Sequence, residues 1–130
     1  MFRMSPSVRF LRDDQNPRWD DRQLHSWLDR EIRFDAAFES VRVVCRVALR
    51  DFIHVFGPVP EEEVFGVIGR HRLAIEAAAQ EKIYQRAYAT DIHWGDPNTV
   101  SILLTCSDIE RAIAARNAPP ALSDIAVAEQ

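Results

Sequence analysis

The sequence predicts an α+β domain whose two layers are an antiparallel β-hairpin and the helices that cover it. Two adjacent segments, 32–36 and 41–47, alternate apolar and polar residues with period two, as half-buried strands do. Two later segments, 48–56 and 60–84, carry apolar residues at helical spacing. A chain of 130 residues normally builds one hydrophobic core. We therefore expect a single α+β domain over residues 17–117.

The two ends of the chain carry the weakest signals. Residues 1–16 are polar and irregular apart from a β-like stretch at 8–11, so we expect an N-terminal arm there. From Pro17 to Leu28, a leading proline, early acidic residues and helical spacing of the apolar residues predict a short helix. Residues 118–130 follow the last predicted helix and contain a Pro-Pro pair, and we expect them to form a mobile tail.

The hairpin has no glycine in its loop, so the sequence leaves the turn type open. On the buried side, the expected register places Ile32 opposite Cys45, Phe34 opposite Val43 and Ala36 opposite Val41. On the solvent side, the same register places Glu31 opposite Arg46 and Asp35 opposite Arg42. Opposite charges across strands contribute about 0.2–1 kcal/mol per pair. The apolar pattern and the charge pattern thus favour one register.

The two helical segments have recognisable ends. The first presents an apolar stripe and stops before a Gly-Pro pair; the stripe comprises Leu49, Phe52, Ile53 and Phe56. The second begins at Pro60, which suits the first helical position, and three glutamates then lie at the positive end of the helix dipole. Gly69 interrupts this segment, so either a bend or two helices meeting near Gly69 is consistent with the pattern.

The C-terminal part predicts one more strand and a short helix. Residues 99–106 are rich in β-branched side chains, and 87–94 are a candidate partner strand in a second hairpin. Residues 107–110 read Ser-Asp-Ile-Glu, the pattern of a capping box. We expect the helix that this box begins to extend through Ala115.

An ordered set of residues between about 19 and 109 carries a family resemblance. The set comprises Trp19, Asp20, Arg22, 32–36, 43–49, Phe56, Gly57, Arg72, Ile75, Glu76, Ala79, Lys82, Tyr84 and 103–109. Together these residues resemble the small bacterial proteins of the Domain of Unknown Function family fourteen-eighty-eight. The segments 23–30 and 87–98 are longer than the family pattern. The resemblance implies a compact bacterial α+β domain and implies no particular activity.

Composition and charge argue against several classes of partner. Sixteen Lys and Arg against twenty Asp and Glu give a net charge of −4, so no global positive field attracts nucleic acid. The apolar runs are shorter than the eighteen or so residues of a membrane span, and the first residues do not form an export signal. We expect a cytoplasmic protein in which Cys45 and Cys106 are reduced and buried and do not form a disulfide.

The sequence predicts no cofactor, no metal and no catalytic residue. The four histidines have no i, i+4 pair, which a local metal site on a helix requires; they are His25, His54, His71 and His93. A metal site assembled from distant segments stays open. Nucleophilic catalysis needs the fold to bring Cys45 or Cys106 beside a histidine, and we favour a packing role for both. The glycines at 66 and 69 lack the Lys-Ser/Thr end of a phosphate-binding loop.

Seven polar or aromatic residues are the candidate contact residues: Arg70, His71, Arg72, Glu76, Arg42, Arg46 and Trp94. Arg72 and Glu76 are four residues apart on one helix face and can form an ion pair. The two hairpin arginines are expected on the open face of the sheet, where Glu31 and Asp35 neutralise much of their charge. Each group is either a solvated surface or an anchor for an acidic partner. Trp94 is expected to cover the core or to contact a partner.

The resulting functional prediction is a non-enzymatic accessory or regulatory module that contacts a protein partner or forms a homodimer. The first alternative is a small-molecule-binding protein or enzyme whose cleft uses Arg72, Glu76 and a histidine. It is favoured if these side chains converge on one concave pocket. A further alternative is a nucleic-acid-associated regulator, which requires one contiguous arginine face.

Overall fold

A mixed sheet covered by helices on one face forms the domain, and the predicted α+β class is confirmed. The computed structural model describes residues 7–12, 16–20 and 26–117. The strands are β1 (Arg9–Phe10), β2 (Arg18–Trp19), β3 (Glu31–Phe38), β4 (Val41–Ala48) and β5 (Thr99–Leu104). The helices are α1 (Leu49–Phe56), α2 (Val64–Arg70), α3 (Arg72–Tyr84) and α4 (Cys106–Asn117), with 3₁₀ turns at Trp27–Asp29 and Glu61–Glu63.

The β3–β4 hairpin forms as predicted, but its register differs by two residues from the expected one. Glu39 and Ser40 form a two-residue turn with φ of 54° and 67°, the left-handed geometry of the tight turns that join twisted strands. The apolar pairs are Ile32 with Val47, Phe34 with Cys45, Ala36 with Val43 and Phe38 with Val41. The expected register places a two-residue loop at Phe38 and Glu39, whereas the observed loop has the same length but lies one residue later, which adds the Phe38–Val41 pair. Since the shift is even, each side chain keeps its predicted face.

Strands β1 and β2 together form one interrupted edge strand, because both pair antiparallel with β3. Between them, the side-chain oxygen of Asn16 accepts a hydrogen bond from Asp35 N at 2.8 Å. The β-like stretch at 8–11 is therefore confirmed. The helix predicted over 17–28 is wrong at Arg18–Trp19, which is strand, and at Trp27–Asp29, which is a 3₁₀ turn. Residues 21–25 lie outside the described residues.

Pairing with the edge of β3 explains why Arg18–Trp19 do not form the helix that their local spacing predicts. An edge strand offers unpaired backbone donors and acceptors, and the Asp20 amide donates to the Glu31 carbonyl at 2.9 Å. Trp19 packs on Phe65 of α2, with ring centroids 5.4 Å apart. Strand pairing and aromatic packing thus replace the predicted helical contacts.

Helix α1 ends at Gly57, whose φ is 85°, as the Gly-Pro signal predicts. The long helical segment is two helices, α2 and α3, which meet at His71; this is one of the two predicted arrangements. Strand β5 then pairs parallel with β4, so the helices form the crossover between these strands. The core lies between the helices and one face of the sheet; its sheet residues include Ile32, Phe34, Val43, Cys45, Ile102 and Leu104.

The second predicted hairpin reduces to one antiparallel bridge between Ala89 and Ser101. Strand β5 itself is confirmed at Thr99–Leu104, but its main neighbour is β4 on the opposite edge. In the part of the chain that the structure describes, no helix is both long and apolar enough to span a bilayer. The tail predicted at 118–130 lies outside the described residues.

The N-terminus of α4 is capped two residues earlier than the predicted box at 107–110. Thr105 Oγ1 accepts from Asp108 N at 3.2 Å, and Asp108 Oδ2 accepts from Thr105 N at 2.9 Å. Lys82 Nζ also donates to Asp108 at 2.7 Å. Burial opposes ionisation of Asp108, but its hydrogen bonds with Lys82, Thr105 and Arg111 hold the pKa of the carboxyl well below its ordinary value. Since Thr105 caps the helix, Cys106 is helical and half-buried, which corrects its predicted place on a strand.

Candidate functional site

The sheet face opposite the helices carries a buried group of charged residues, although the sequence predicted that this face meets solvent. Its buried members are Glu31, Arg33, Asp35 and Arg46. The loop after α3 covers part of this face, because Asp91 and Trp94 in that loop contact the arginines. The predicted solvent exposure of Arg46 is therefore wrong.

Arg46, with 1% of its surface exposed, has carboxylate partners on both sides of its guanidinium. It donates to Glu31 through Nε at 2.9 Å and Nη2 at 2.6 Å. It donates to Asp91 through Nη1 and Nη2, each at 2.8 Å, and to Ser101 Oγ at 3.4 Å. Burial lowers the pKa of Arg46, but the bonds to Asp91 and Glu31 outweigh burial and raise it above the ordinary value. With both ends of the guanidinium occupied, Arg46 is a structural residue rather than a free contact.

Asp35 is the acceptor at the other end of the same face. Arg18 donates to both Asp35 oxygens at 3.1 Å, and Arg42 also donates to Asp35. The predicted contacts of Asp35 with Arg42 and of Glu31 with Arg46 are thus present, although the observed register makes both pairs diagonal. Arg42 is the more exposed of these two arginines, with 54% of its side chain accessible.

Trp94 is half-buried and covers the charged face. The guanidinium carbon of Arg33 lies 5.3 Å from the centroid of the Trp94 ring, within the range of a cation–π contact. Arg33 Nε also donates to Glu31 at 3.1 Å. Of the two predicted roles of Trp94, this position fits the covering one, although it covers charged rather than apolar side chains.

The group predicted on the long helix is divided between two surfaces. Glu76 does not pair with Arg72 but accepts a bidentate pair of hydrogen bonds from Arg12, of which Nη2 to Oε1 measures 3.0 Å. The Arg12 guanidinium is tied to Glu76 by these bonds, which raise its pKa. Arg70 and His71 lie on a second, exposed concave surface, which Arg72 also lines. There the His71 ring packs on Phe56, with ring centroids 4.7 Å apart.

Arg72 and Glu76 do converge on one cavity, which lies between the β1–β3 edge of the sheet and helices α2 and α3. Its volume is about 260 Å³. Its apolar walls comprise Phe10, Leu11, Pro17, Phe34, Phe65, Ile68, Gly69 and Ile75, and its polar side chains are Arg12, Asn16, Arg72 and Glu76. In the following text this space is called the edge cavity. The sequence predicted the Arg72–Glu76 part of it, but the histidine of the predicted cleft is not among the lining residues.

Arg72 is the uncommitted cation of the edge cavity. Glu76, its predicted partner, is occupied by Arg12, and Arg72 forms no ion pair with any described residue. Because the neighbouring Arg12–Glu76 pair is internally neutral, Arg72 leaves one positive charge at an otherwise apolar space.

A second cluster joins α1 and α4 at the far side of the helical layer. Ligand atoms of His54, Cys106 and Glu110 all lie within 4.8 Å of one another. Burial raises the pKa of the Cys106 thiol, and a hydrogen bond to Asp51 raises it further. Such a thiol is protonated at neutral pH, unlike an activated nucleophile. Cys45 is fully buried, which confirms its predicted packing role.

The sequence signal for this second cluster was weak but present. Cys106 and Glu110 are four residues apart on one helix, and Asp51 and His54 are three residues apart on another. Either spacing places two side chains on the same helix face. The histidine spacings alone could not reveal a site whose halves lie far apart in the sequence.

No protein-family model, curated protein or solved structure matches the chain. The resemblance to the Domain of Unknown Function family fourteen-eighty-eight therefore stays a prediction.

Proposed function

We propose that the protein binds a small amphipathic carboxylate in the edge cavity. The observation that carries this proposal is the position of Arg72, a cation without an ion pair among the described residues, beside apolar walls. This is the first alternative predicted from the sequence, without its histidine.

The walls favour an alkyl or aryl body. Phe10, Phe34, Phe65, Ile68 and Ile75 line the cavity, and burying each CH₂ group of a ligand contributes about 0.8 kcal/mol. A volume of about 260 Å³ is just below the roughly 300–1,000 Å³ of pockets that hold drug-sized ligands. The expected ligand is therefore small, of the size of a medium-chain acid.

The polar end favours a single carboxylate. A guanidinium binds a carboxylate through two parallel hydrogen bonds, and Arg72 is the cation available for them. Because Arg12 already pairs with Glu76, Arg72 is the basic residue of the described lining that is left to balance a negative charge. A monoanion with an apolar body matches both ends of the cavity.

Binding rather than catalysis is proposed because of the lining residues that the structure describes. They include no cysteine, serine or histidine, and the Glu76 carboxylate is bonded to Arg12. A nucleophile with a general base in reach is the arrangement that covalent catalysis requires. The proposal keeps the bacterial cytoplasmic setting expected from the sequence, in which free thiols stay reduced.

Calorimetric titration with a matched pair of probes tests the proposal. We expect octanoate to bind and octanol, which has the same chain length but no charge, to bind much more weakly. Arg72→Gln should remove this preference for the carboxylate, whereas Arg70→Gln, a neighbouring exposed arginine outside the cavity, should keep it. Absence of octanoate binding to the wild-type chain would contradict the proposal. An equal loss of the preference for octanoate in both variants would also contradict it.

The interaction module predicted from the sequence is the second candidate function. It is supported by the concave surface around Arg70 and His71, next to which Leu73 is 54% exposed, since an exposed apolar side chain beside cations is common at contacts. Light scattering on the calorimetric samples separates the two candidates. A dimeric mass that Leu73→Asp abolishes supports the homodimer, and a monomeric mass at all concentrations counts against it.

A further inference from the structure

A compact set of metal-ligating side chains lies where α1 packs against α4, away from the edge cavity. We propose that His54, Cys106 and Glu110 bind a divalent transition-metal ion of the zinc class. Their ligand atoms, one nitrogen, one sulfur and one oxygen, all lie within 4.8 Å of one another. None of the three residues lines the edge cavity, so this site is independent of the proposed carboxylate binding.

The helices place these side chains on facing surfaces. Cys106 is the first residue of α4, and Glu110 lies one turn later on the same face. His54 lies in the last turn of α1, directed at Glu110, with Nε2 3.7 Å from Oε2. A two-helix arrangement of this kind brings together ligands that are far apart in sequence.

The distances suit a small tetrahedral ion. Zinc bonds of about 2.0–2.3 Å place neighbouring ligand atoms roughly 3.3–3.8 Å apart, and the His54–Glu110 separation already lies in this range. The side chains of His54 and Glu110 are 62% and 51% exposed, so both can rotate to complete the geometry. Small side-chain rotations therefore convert the cluster into a coordination shell.

The donor atoms select the class of metal. Thiolate and imidazole ligands favour zinc and its neighbours in the first transition row, whereas calcium and magnesium prefer oxygen ligands alone. A thiolate and a carboxylate supply two negative charges, which a divalent cation neutralises. Three protein ligands leave one position of a tetrahedral zinc site open to water.

A nucleophilic role for the same residues is less well supported. In such a role a base accepts the thiol proton, but among the described residues the imidazole of His54 contacts Glu110 and makes no hydrogen bond with the thiol of Cys106. The nearest carboxylate of His54 is Glu110, an exposed group on the same helix as the thiol. The arrangement of the three side chains therefore fits binding of one metal ion better than a proton relay.

Cobalt titration of the reduced, tag-free, metal-free full chain tests the site. We expect one Co²⁺ per chain with the near-ultraviolet absorption of thiolate-to-cobalt charge transfer, and displacement of Co²⁺ by Zn²⁺. The sequence has two cysteines, so Cys106→Ser should abolish the band and Cys45→Ala should retain it. His54→Gln and Glu110→Gln should weaken binding by more than about tenfold, while His93→Gln, at another exposed histidine, should not.

A second measurement guards against variants that fold poorly. Zinc should raise the thermal midpoint of the wild-type chain, since a ligand that binds only the folded state stabilises it, and should not raise that of folded His54→Gln. A wild-type chain that shows neither the band nor the thermal shift overturns the proposal. Persistence of the band in Cys106→Ser also overturns it. Octanoate binding is measured separately, so failure of either site is recognised on its own.

Discussion

Two clusters of arginines and carboxylates lie on opposite faces of the sheet. They differ in whether each guanidinium group has a carboxylate partner. On the charged face, Arg46 is 1% exposed and is held between Glu31 and Asp91. At the edge cavity, Arg12 occupies Glu76, and Arg72 has no ion pair with a described residue. Arg46 is thus closed to ligands, whereas the second cluster leaves a cation beside an apolar space.

The difference shows that residue type alone does not identify a binding site. Both clusters contain residues that the sequence marked as candidate contacts, namely Arg42 and Arg46 in one and Arg72 and Glu76 in the other. A buried arginine with paired carboxylates on both sides contributes to the fold, because removing either partner leaves a buried charge. An arginine without such partners is available to a ligand.

Removing Arg46 should have the largest effect on stability. Arg46→Met keeps much of the side-chain length but leaves the buried Glu31 carboxylate without its main partner, which costs about 3–5 kcal/mol. Urea unfolding at neutral pH measures the change. Arg50→Met is the matched control, because Arg50 is 62% exposed and its pair with Asp29 is at the surface, where pairs contribute about 0–1 kcal/mol. Equal effects of the two variants would mean that the charged face is not a buried network.

The Asp108 cap should have an intermediate effect that depends on pH. Asp108→Asn weakens the helix cap and the contact with Lys82, at a cost of about 1–2 kcal/mol at neutral pH. The pKa of Asp108 is lower in the folded state than its ordinary 3.8, so its stabilisation is complete above that value and declines as pH falls further. Unfolding at neutral and acidic pH should therefore show a wild-type advantage that shrinks below about pH 4. A pH-independent difference would contradict the assignment.

Removing Arg72 should have the smallest effect on stability. It is exposed and without an ion pair among the described residues, so Arg72→Gln should change the free energy of unfolding by less than about 0.5 kcal/mol. The same variant should lose the preference for octanoate over octanol. A loss of stability comparable to that of Asp108→Asn would instead identify Arg72 as a structural residue.

The sequence predicted the hairpin, α1, the α2–α3 segment and β5, because period-two and helical spacings reflect burial directly. The register was not predictable, since Glu39 and Ser40 adopt left-handed conformations that glycine or asparagine usually signals. The helix expected over 17–28 shows the other limit of local patterns. Pairing of Arg18–Trp19 with the edge of β3 is a long-range contact, and it outweighs local spacing.

The candidate sites divide in the same way. Arg72 and Glu76 were predicted to pair on one helix face. Arg12, which lies far away in the sequence, pairs with Glu76 instead and leaves Arg72 without this partner. The cover over Arg46 comes from Asp91, in a segment that the sequence predicted as a strand of a second hairpin. His54 and Cys106 meet only because α1 packs against α4. Long-range packing therefore supplies what the spacing of residues could not.

Backbone amide NMR spectra recorded during an octanoate titration test the central claim most directly, because they locate the ligand. The account predicts saturable shifts concentrated at the edge cavity, at Phe10, Phe34 and Ile75, with Arg46 and Ser101 on the charged face unaffected. Shifts that are absent, or that concentrate on the charged face, would contradict it.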